Sequence, residues 1–501
     1  MMERHLPVLI PLTLLTTAVV IPLAGGMSKR LAHPLAMVGT FLSLVFAIWG
    51  LARVLLEGPM RYHLGGWIPP IGIELVLDHL SSMMTVIILG VALPVLIHAR
   101  KSIEAEHPEQ VVPFFGICLL LLLGLTGIVL TGDLFNLYVF LEISSLAGYA
   151  LVAVGDRQAP VAAFRYLILG TAGATFYLLG VGLVFMMTGS LNMADLVGLL
   201  PHVQDSPPVI VGFVLMVIGI GLKMALFPLH VWLPDAYTHA SSAGSSLLAP
   251  LGTKVAAYVL IRLALFVFSR EYAREELIVL DVIVWLAFGG IIAGSILAVA
   301  QTEMKRMLAY SSVAQIGYIA LGIGLGSTLG LIGAMLHIMN HAVMKGALFL
   351  VAGNLRLKIG HSDLDRFDYS IQQQMPWSTA GFSVAALSMV GIPPLAGFFS
   401  KWYLVLASVE QNAWSAVAVI ALGSLISAVY FFRVLERVYL RPPLAMGTAT
   451  VSQTASNEAP LSMLIPVIAL SVGLIVLGLL NAVIIDAAIA PLIPARWEKV
   501  P

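Results

Sequence analysis

The chain has 501 residues, 59% of them hydrophobic and 10% charged, with a mean hydropathy of +0.99. Soluble domains carry about 25% charged residues, so this composition excludes a soluble globular protein and predicts an all-α polytopic membrane protein. Lysine plus arginine balances aspartate plus glutamate at 26 each, which offers no basic surface to nucleic acid, and the lone Cys118, in an apolar run, makes neither an intrachain disulfide nor a metal site by itself.

At about 20 apolar residues per crossing the sequence predicts about 14 transmembrane helices. The run from Leu6 to Leu23 is longer than the apolar region of an ordinary signal peptide and reads as a retained first span. After a second span, residues 59–78 alternate and carry Gly65-Gly66 and Pro69-Pro70, which predicts a short extended hairpin on one surface. A third span closes an N-terminal unit over 1–110. Residues 111–270 then hold helices 4–8, residues 271–440 hold helices 9–13, and 441–501 supply a linker (442–460) and a last helix.

Ionisable residues fall inside several of these spans. Glu142 follows Asp133 by nine residues, about 13 Å along a helix. Asp133 is expected at the membrane surface, whereas Glu142 lies deeper and needs a partner. Lys223 sits in IGIGLKMALFPLHVWLPDAY, where an unpaired lysine at the bilayer centre costs about 2.5–3.5 kcal/mol. Pro228 interrupts this span five residues later. A Glu142–Lys223 pair is expected, either as a switch for a proton on Lys223 or as a static buried ion pair that fixes helix packing. His230, Asp235 and His239 follow the break, either to feed protons to Lys223 or to cap freed backbone. Lys254 lies among Gly252, Thr253, Ala256 and Ala257. It reads as a further proton site or as a lysine snorkelling from a helix end.

His337, His341 and Lys345 recur at spacings of four, which puts them on one helical stripe with Asn340 beside it. Imidazoles titrate near neutrality, so a proton relay is one reading, and structural hydrogen bonding is another. A metal site is disfavoured by the adjacent lysine. The run SMVGIPPLAGFFSKW is the second interrupted span, with Pro393-Pro394 freeing carbonyls and Gly391 and Gly397 allowing a bend. Lys401 after it is either a terminal proton site or a snorkelling lysine. The two interrupted spans, the seventh and twelfth, are five apart. That odd number predicts that the repeats containing them are inverted relative to each other, and inverted repeats with broken helices are a transporter architecture.

One set of loops carries Lys29, Arg30, Arg100, Lys101, Arg157, Lys305, Arg306, Arg356, Lys358, Arg366, Arg437 and Arg441. The other carries Arg4, Arg61, Arg270, Arg274, Arg496 and Lys499. The asymmetry places the first set in the cytoplasm and both termini on the outer, periplasmic side of a cell inner membrane.

The runs GDLFNLYVFLEI, GLKMALFPLHVWLPDAY, GTKVAAYVLIR, MKRMLAYSSVAQIGY, HIMNHAVMKGALFL and GIPPLAGFFSKWYL resemble the antiporter-like subunit superfamily over residues 70–440. That superfamily spans the D-type subunit of Mrp cation/proton antiporters and the proton-pumping membrane subunits of complex I and membrane-bound hydrogenases. GDLFNLYVFLEI is most similar to Mrp D-type and hydrogenase-associated sequences, while Thr238-His239-Ala240-Ser241-Ser242 departs from the Mrp D-type pattern. The resemblance implies fourteen helices with two inverted five-helix repeats over spans 4–8 and 9–13, a central hydrophilic axis and a pairing of Glu142 with Lys223. It also implies proton sites at Lys254 and Lys401, with His337, His341 and Lys345 joining the two halves. The expected function is proton translocation within a multisubunit Na+/H+ antiporter. The alternatives are a pump subunit of a complex I-like NADH:quinone oxidoreductase or hydrogenase, and a membrane scaffold for a soluble partner such as an inorganic-carbon uptake protein. The partners expected are other membrane subunits and protons, with Na+ left open. No bound cofactor and no metal are implied, and the chain shows no cysteine cluster or phosphate-binding glycine loop for redox catalysis of its own.

Overall fold

In lipid every backbone N–H and C=O has to be satisfied within the protein, and the long apolar runs of this chain do so as helices. The computed structural model describes residues 2–443, 457–493 and 497. Most of the predicted linker 442–460 lies outside those residues, as do Arg496 and Lys499. The helices are α1 (Leu6–Met27), α2 (Ala32–Glu57), α3 (His79–Glu106), α4 (Val111–Leu130), α5 (Leu134–Ala153), α6 (Ala159–Thr188), α7 (Met193–Leu199), α8 (Pro207–Met224), α9 (Trp232–His239) and α10 (Ser242–Ile261). The second part holds α11 (Val279–Val299), α12 (Met304–Leu325), α13 (Thr328–Ile359), α14 (Tyr369–Gln374), α15 (Pro376–Val390), α16 (Ala396–Glu410), α17 (Trp414–Tyr439), α18 (Leu461–Leu479) and α19 (Asn481–Ile484).

Among the described residues, 13 helices are long and apolar enough to cross a membrane. The fourteenth crossing is the pair α15 and α16, whose 15 residues each are too short to span alone. The protein is therefore a multi-pass integral membrane protein. Polar side chains start many of the helices: Asp78 caps α3, Asp133 caps α5, Ser241 caps α10, Glu303 caps α12 and Ser327 caps α13.

Short contacts between loops define two faces. The expected hairpin forms from β1 (Met60–His63) and β2 (Glu74–Leu77), antiparallel with Met60 opposite Leu77. Leu75 bridges to Thr131, and Asp133 bridges to Asn192, so these segments share the hairpin face. On the opposite face Gly155 bridges to Ala240, Glu303 bridges to Asp363, and Lys305 Nζ donates to Ala240 O at 2.6 Å. The broken crossing α8–α9 thus starts at the hairpin face, and α15–α16 starts at the opposite one. The two broken helices run in opposite senses, as an inverted repeat requires.

The core gathers around α13, whose residues from Gly330 to Leu355 are all buried. On the hairpin face Arg262, at the end of α10, clamps Asp78 with two hydrogen bonds of 2.7 and 2.9 Å. Burial raises the Asp78 carboxyl, but the guanidinium outweighs it and holds the group down at about 2. An ordinary aspartate titrates near 3.9. The stabilisation from this pair is therefore complete above pH about 4 and is lost as pH falls through about 2. Asp78→Asn is expected to cost about 3 kcal/mol at neutral pH by leaving Arg262 unpaired. Its deficit against the parent protein should shrink towards zero as pH falls across that window, as read by thermal melts in detergent.

Candidate functional site

The first break begins where Ala225 takes a left-handed φ of 60°, which ends α8 directly after Met224. The Trp232 indole donates to Leu222 O at 2.9 Å, so a carbonyl freed by the break is satisfied. Lys223 then lies in the last helical turn, where a cation suits the negative end of the helix dipole. Its residue is 9% exposed, and its Nζ donates to Ser145 Oγ at 2.7 Å and Tyr149 OH at 3.2 Å. Glu142 Oε1 is 4.0 Å away and has no hydrogen-bond partner. The ammonium is brought to the expected carboxylate, yet it is held by a hydroxyl cradle one turn further along α5. A cavity of about 50 Å³ lies against Lys223, lined by Ser144, Ser145, Tyr166, Gly252 and Ala256. It has room for water between α5 and the helix that carries Lys254.

Lys254 is fully buried on α10, and its Nζ donates to Ala249 O at 2.6 Å and to Thr253 Oγ1 at 3.3 Å. It interacts electrostatically with His337, His341 and Lys345 across the interface with α13. Lys345 Nζ donates to Leu308 O at 2.6 Å and to Ser311 Oγ, both on α12. His341 is completely buried, and neither of its ring nitrogens has a partner. Its ring stacks at 5.9 Å on that of His337. His337 joins Ser400 Oγ at 2.8 Å through Nδ1 and Gln315 Oε1 at 3.0 Å through Nε2. Asn340 donates to Ala396 O at 2.7 Å, beside the second break.

At that break Gly391, with φ 96°, ends α15, and Lys401 reaches back from α16. Its Nζ donates to Met389 O at 2.9 Å, Val390 O at 3.1 Å and Ser424 Oγ at 3.1 Å, and it sits 4.6 Å over the Tyr318 ring. Both breaks thus place an ammonium group at the carboxyl end of a half-helix. Neither Lys254 nor Lys401 snorkels to a surface.

The secondary candidates lie apart from this row. Asp133 is buried as the N-cap of α5, accepting from Asn136 N at 2.7 Å. Asp235 pairs with Arg165 at 2.8 Å and Arg306 at 3.1 Å on the opposite face, away from Lys223. His239 pairs with Asp156 at 3.0 Å. Burial pushes the Asp156 carboxyl up, but the hydrogen bonds from His239 and Gln158 hold it below the ordinary carboxylate range. His230 stacks on Phe227, and its Nδ1 has no partner.

Sequence reasoning missed several polar partners of the row: Ser145, Tyr149, Ser311, Gln315, Ser400 and Ser424. Helical spacing carried a signal for two of them, since Ser145 lies three residues from Glu142 and Gln315 lies four from Ser311. Lys305, counted above among the loop cations, is in fact buried in the first turn of α12. The first turn of a helix packed inside the bundle reads in sequence like a loop.

The family described as NADH:quinone oxidoreductase/Mrp antiporter, TM, matches residues 131–427, which include every residue of this row. The chain belongs to this family. It is 47% identical over 99% of its length to the NADH-quinone oxidoreductase subunit N of Desulforudis audaxviator, all of which is covered. To the D-type subunit of the Na(+)/H(+) antiporter of Alkalihalophilus pseudofirmus it is 32% identical, over 79% of each chain. A chain in the structure of the Mrp complex from Dietzia superposes with a TM-score of 0.86 at 25% identity, covering 97% of this chain and 96% of that one.

A Cβ built on Gly397 would overlap Ser388 O across the second break. Gly397→Ala is therefore expected to shift the α16 segment that carries Ser400 and Lys401, lowering both thermal stability and ion transport. Gly198→Ala, where an added Cβ meets nothing within 4 Å, should leave both unchanged. Melts and vesicle transport assays on the two variants check this.

Proposed function

We propose that this chain is a proton-translocating subunit of a multisubunit membrane complex, and that Glu142, Lys223, Lys254, His337, His341, Lys345 and Lys401 carry the protons. One observation carries the reading. Apart from His341, whose ring nitrogens are unpaired, these amines and imidazoles form a buried row held by carbonyls, hydroxyls and a side-chain amide, and only Lys223 has a carboxylate within 4.0 Å among the described residues. Neutral partners leave an amine free to release its proton, whereas a tight ion pair holds it. Protons move in hydrated steps from the first break through Lys223, Lys254 and the α13 stripe to Lys401. Each charge shifts the proton affinity of its neighbours. The Glu142–Lys223 pair acts as the gate, since Lys223 can lean on either the carboxylate or the Ser145–Tyr149 cradle. His230 is the secondary group best placed to exchange protons with the first break.

The complex is a cation/proton antiporter of the kind named by the Alkalihalophilus relative, with Na+ as the exchanged ion. The full-length likeness to a subunit named for NADH-quinone oxidoreductase favours a second reading, a redox-driven pump with the same proton row. In either, the complex sits in a cell inner membrane with the hairpin face and both termini outward. The chain divides into residues 1–110, repeats at 111–270 and 271–440, and a C-terminal part from 441.

Lys223→Met and Lys401→Met are each expected to reduce proton movement in vesicles holding the whole complex by at least about a hundredfold, with subunit assembly intact. Full activity in either variant would overturn the reading. Iron–sulfur and flavin spectra of the purified complex decide between the two assemblies.

A further inference from the structure

Lys305 is the buried lysine that the row above leaves out. It is 1% exposed in the first turn of α12, directly beneath a strap where Asp156 N donates to His239 O at 3.0 Å and Ser241 N donates to Val154 O at 2.9 Å. Among the described residues its ammonium makes one hydrogen bond, to Ala240 O at 2.6 Å. The charged groups acting on it are Glu303, which precedes α12; Glu106, at the end of α3; Asp156, in the strap; and Arg356, on α13. Among the described residues no carboxylate approaches Lys305 within ion-pair distance, since Glu106 accepts from Ser242 N at 3.0 Å and Asp156 is taken by His239. Three carboxylates and one guanidinium thus act on this ammonium, and among the described residues none of the carboxylates is ion-paired to it.

The same end of the bundle holds buried polar atoms with no protein partner. Ser242 Oγ and His98 Nδ1 are both unpaired, and Gly353 brings the two residues together. A Cβ on Gly353 would lie 2.9 Å from His98 Cε1 and 3.4 Å from Ser242 Cβ. Buried unpaired groups of this kind take ordered water. Further into the membrane, three residues or about 4.5 Å along α12, Leu308 O accepts the hydrogen bond of Lys345 Nζ. Lys305, which belongs to α12, and Lys345, which reaches α12 from α13, are therefore anchored about one turn apart along that helix, the first at the membrane face and the second in the central row.

We infer that Lys305 is a proton-loading site at a second inlet, which charges Lys345 from the Asp156–Glu106 face without passing through Lys223 and Lys254. A proton from water on that face passes the Glu106 and Asp156 carboxylates to the neutral Lys305 amine. The Lys305 ammonium then returns it, through water, to the neutral Lys345 amine. No electron moves and no bond other than N–H and O–H is made or broken. The inference rests on the proton-translocation reading and adds an inlet to it. The bland alternative is that Lys305 only pins the α9–α10 turn through Ala240 O.

The test uses the whole complex in sealed vesicles, with a pH-sensitive dye reporting proton movement and subunit content scored on the same membranes. Lys305→Arg keeps the charge and the donor to Ala240 O but does not release a proton. The expected result is assembled complex with transport lowered by more than about tenfold. Assembled Lys305→Arg with parental transport would overturn the inference. If Lys305→Arg does not assemble, Lys305→Gln replaces it, because its amide also donates without carrying a transferable proton. Assembled and slow supports the inlet; assembled and fast, or not assembled, assigns Lys305 to pinning. Lys345→Met runs beside them. Unimpaired transport in that variant would instead sink the proton row itself, whatever Lys305 does.

Discussion

Buried ammonium groups with neutral partners are the constraint on which the rest of this structure depends. Each lysine placed at membrane depth forfeits hydration, and an ion pair is the usual remedy. Here the remedy is different. Lys254, Lys345 and Lys401 are each satisfied by main-chain carbonyls and hydroxyls, and Lys223 leans on Ser145 in preference to Glu142. Lys254 and Lys345 take carbonyls inside intact helices, Ala249 O on α10 and Leu308 O on α12, whereas Lys401 takes carbonyls that a helix break exposes.

The two helix breaks shape the ends of the row. The left-handed turn at Ala225 and the one at Gly391 each open the carboxyl end of a half-helix inside the bundle. Lys401 takes two of the carbonyls that Gly391 exposes, and the Trp232 indole takes one beside Lys223. Glycine is required at the second break. Any side chain at Gly397 would collide with Ser388 O, and one at Gly391 would press on the aliphatic stem of Lys401. Around α13 the bundle closes completely, so the histidine–lysine stripe is shielded along its whole length. His341, with two unpaired nitrogens, is the point in the row where water or a transient proton has the most to gain.

The surface ion pairs tie the first break to both halves of the chain. Short helix α9 carries Asp235, which reaches Arg165 on α6 and Arg306 on α12, and it ends at His239 against Asp156. On its inner side Trp232 stacks on Tyr166 at 4.1 Å, and Tyr166 meets Tyr149 edge-on at 4.6 Å. Tyr149 in turn receives a hydrogen bond from Lys223. Packed rings and one hydrogen bond thus run without interruption from α9 at the membrane face to the buried lysine.

The sequence by itself determined the membrane class, fourteen crossings, the hairpin, two opposed helix breaks and the stripe of His337, His341 and Lys345. These follow from local rules: apolar run length, proline and glycine positions, and a spacing of four that holds in any helix. It also picked out Glu142 and Lys223 as a pair, because opposite charges at membrane depth each need a partner, and the family resemblance implies the same pairing. Only the tertiary structure decided what each charge touches. That Lys223 rests on Ser145, that Ser311, Gln315, Ser400 and Ser424 complete the row, and that Lys305 is buried all depend on which helix faces which. Their sequence separations run from 22 to 78 residues. Serine and glutamine in an apolar helix look alike whether they face lipid, a helix or a buried amine, because periodicity fixes the face of a residue and not the partner across it.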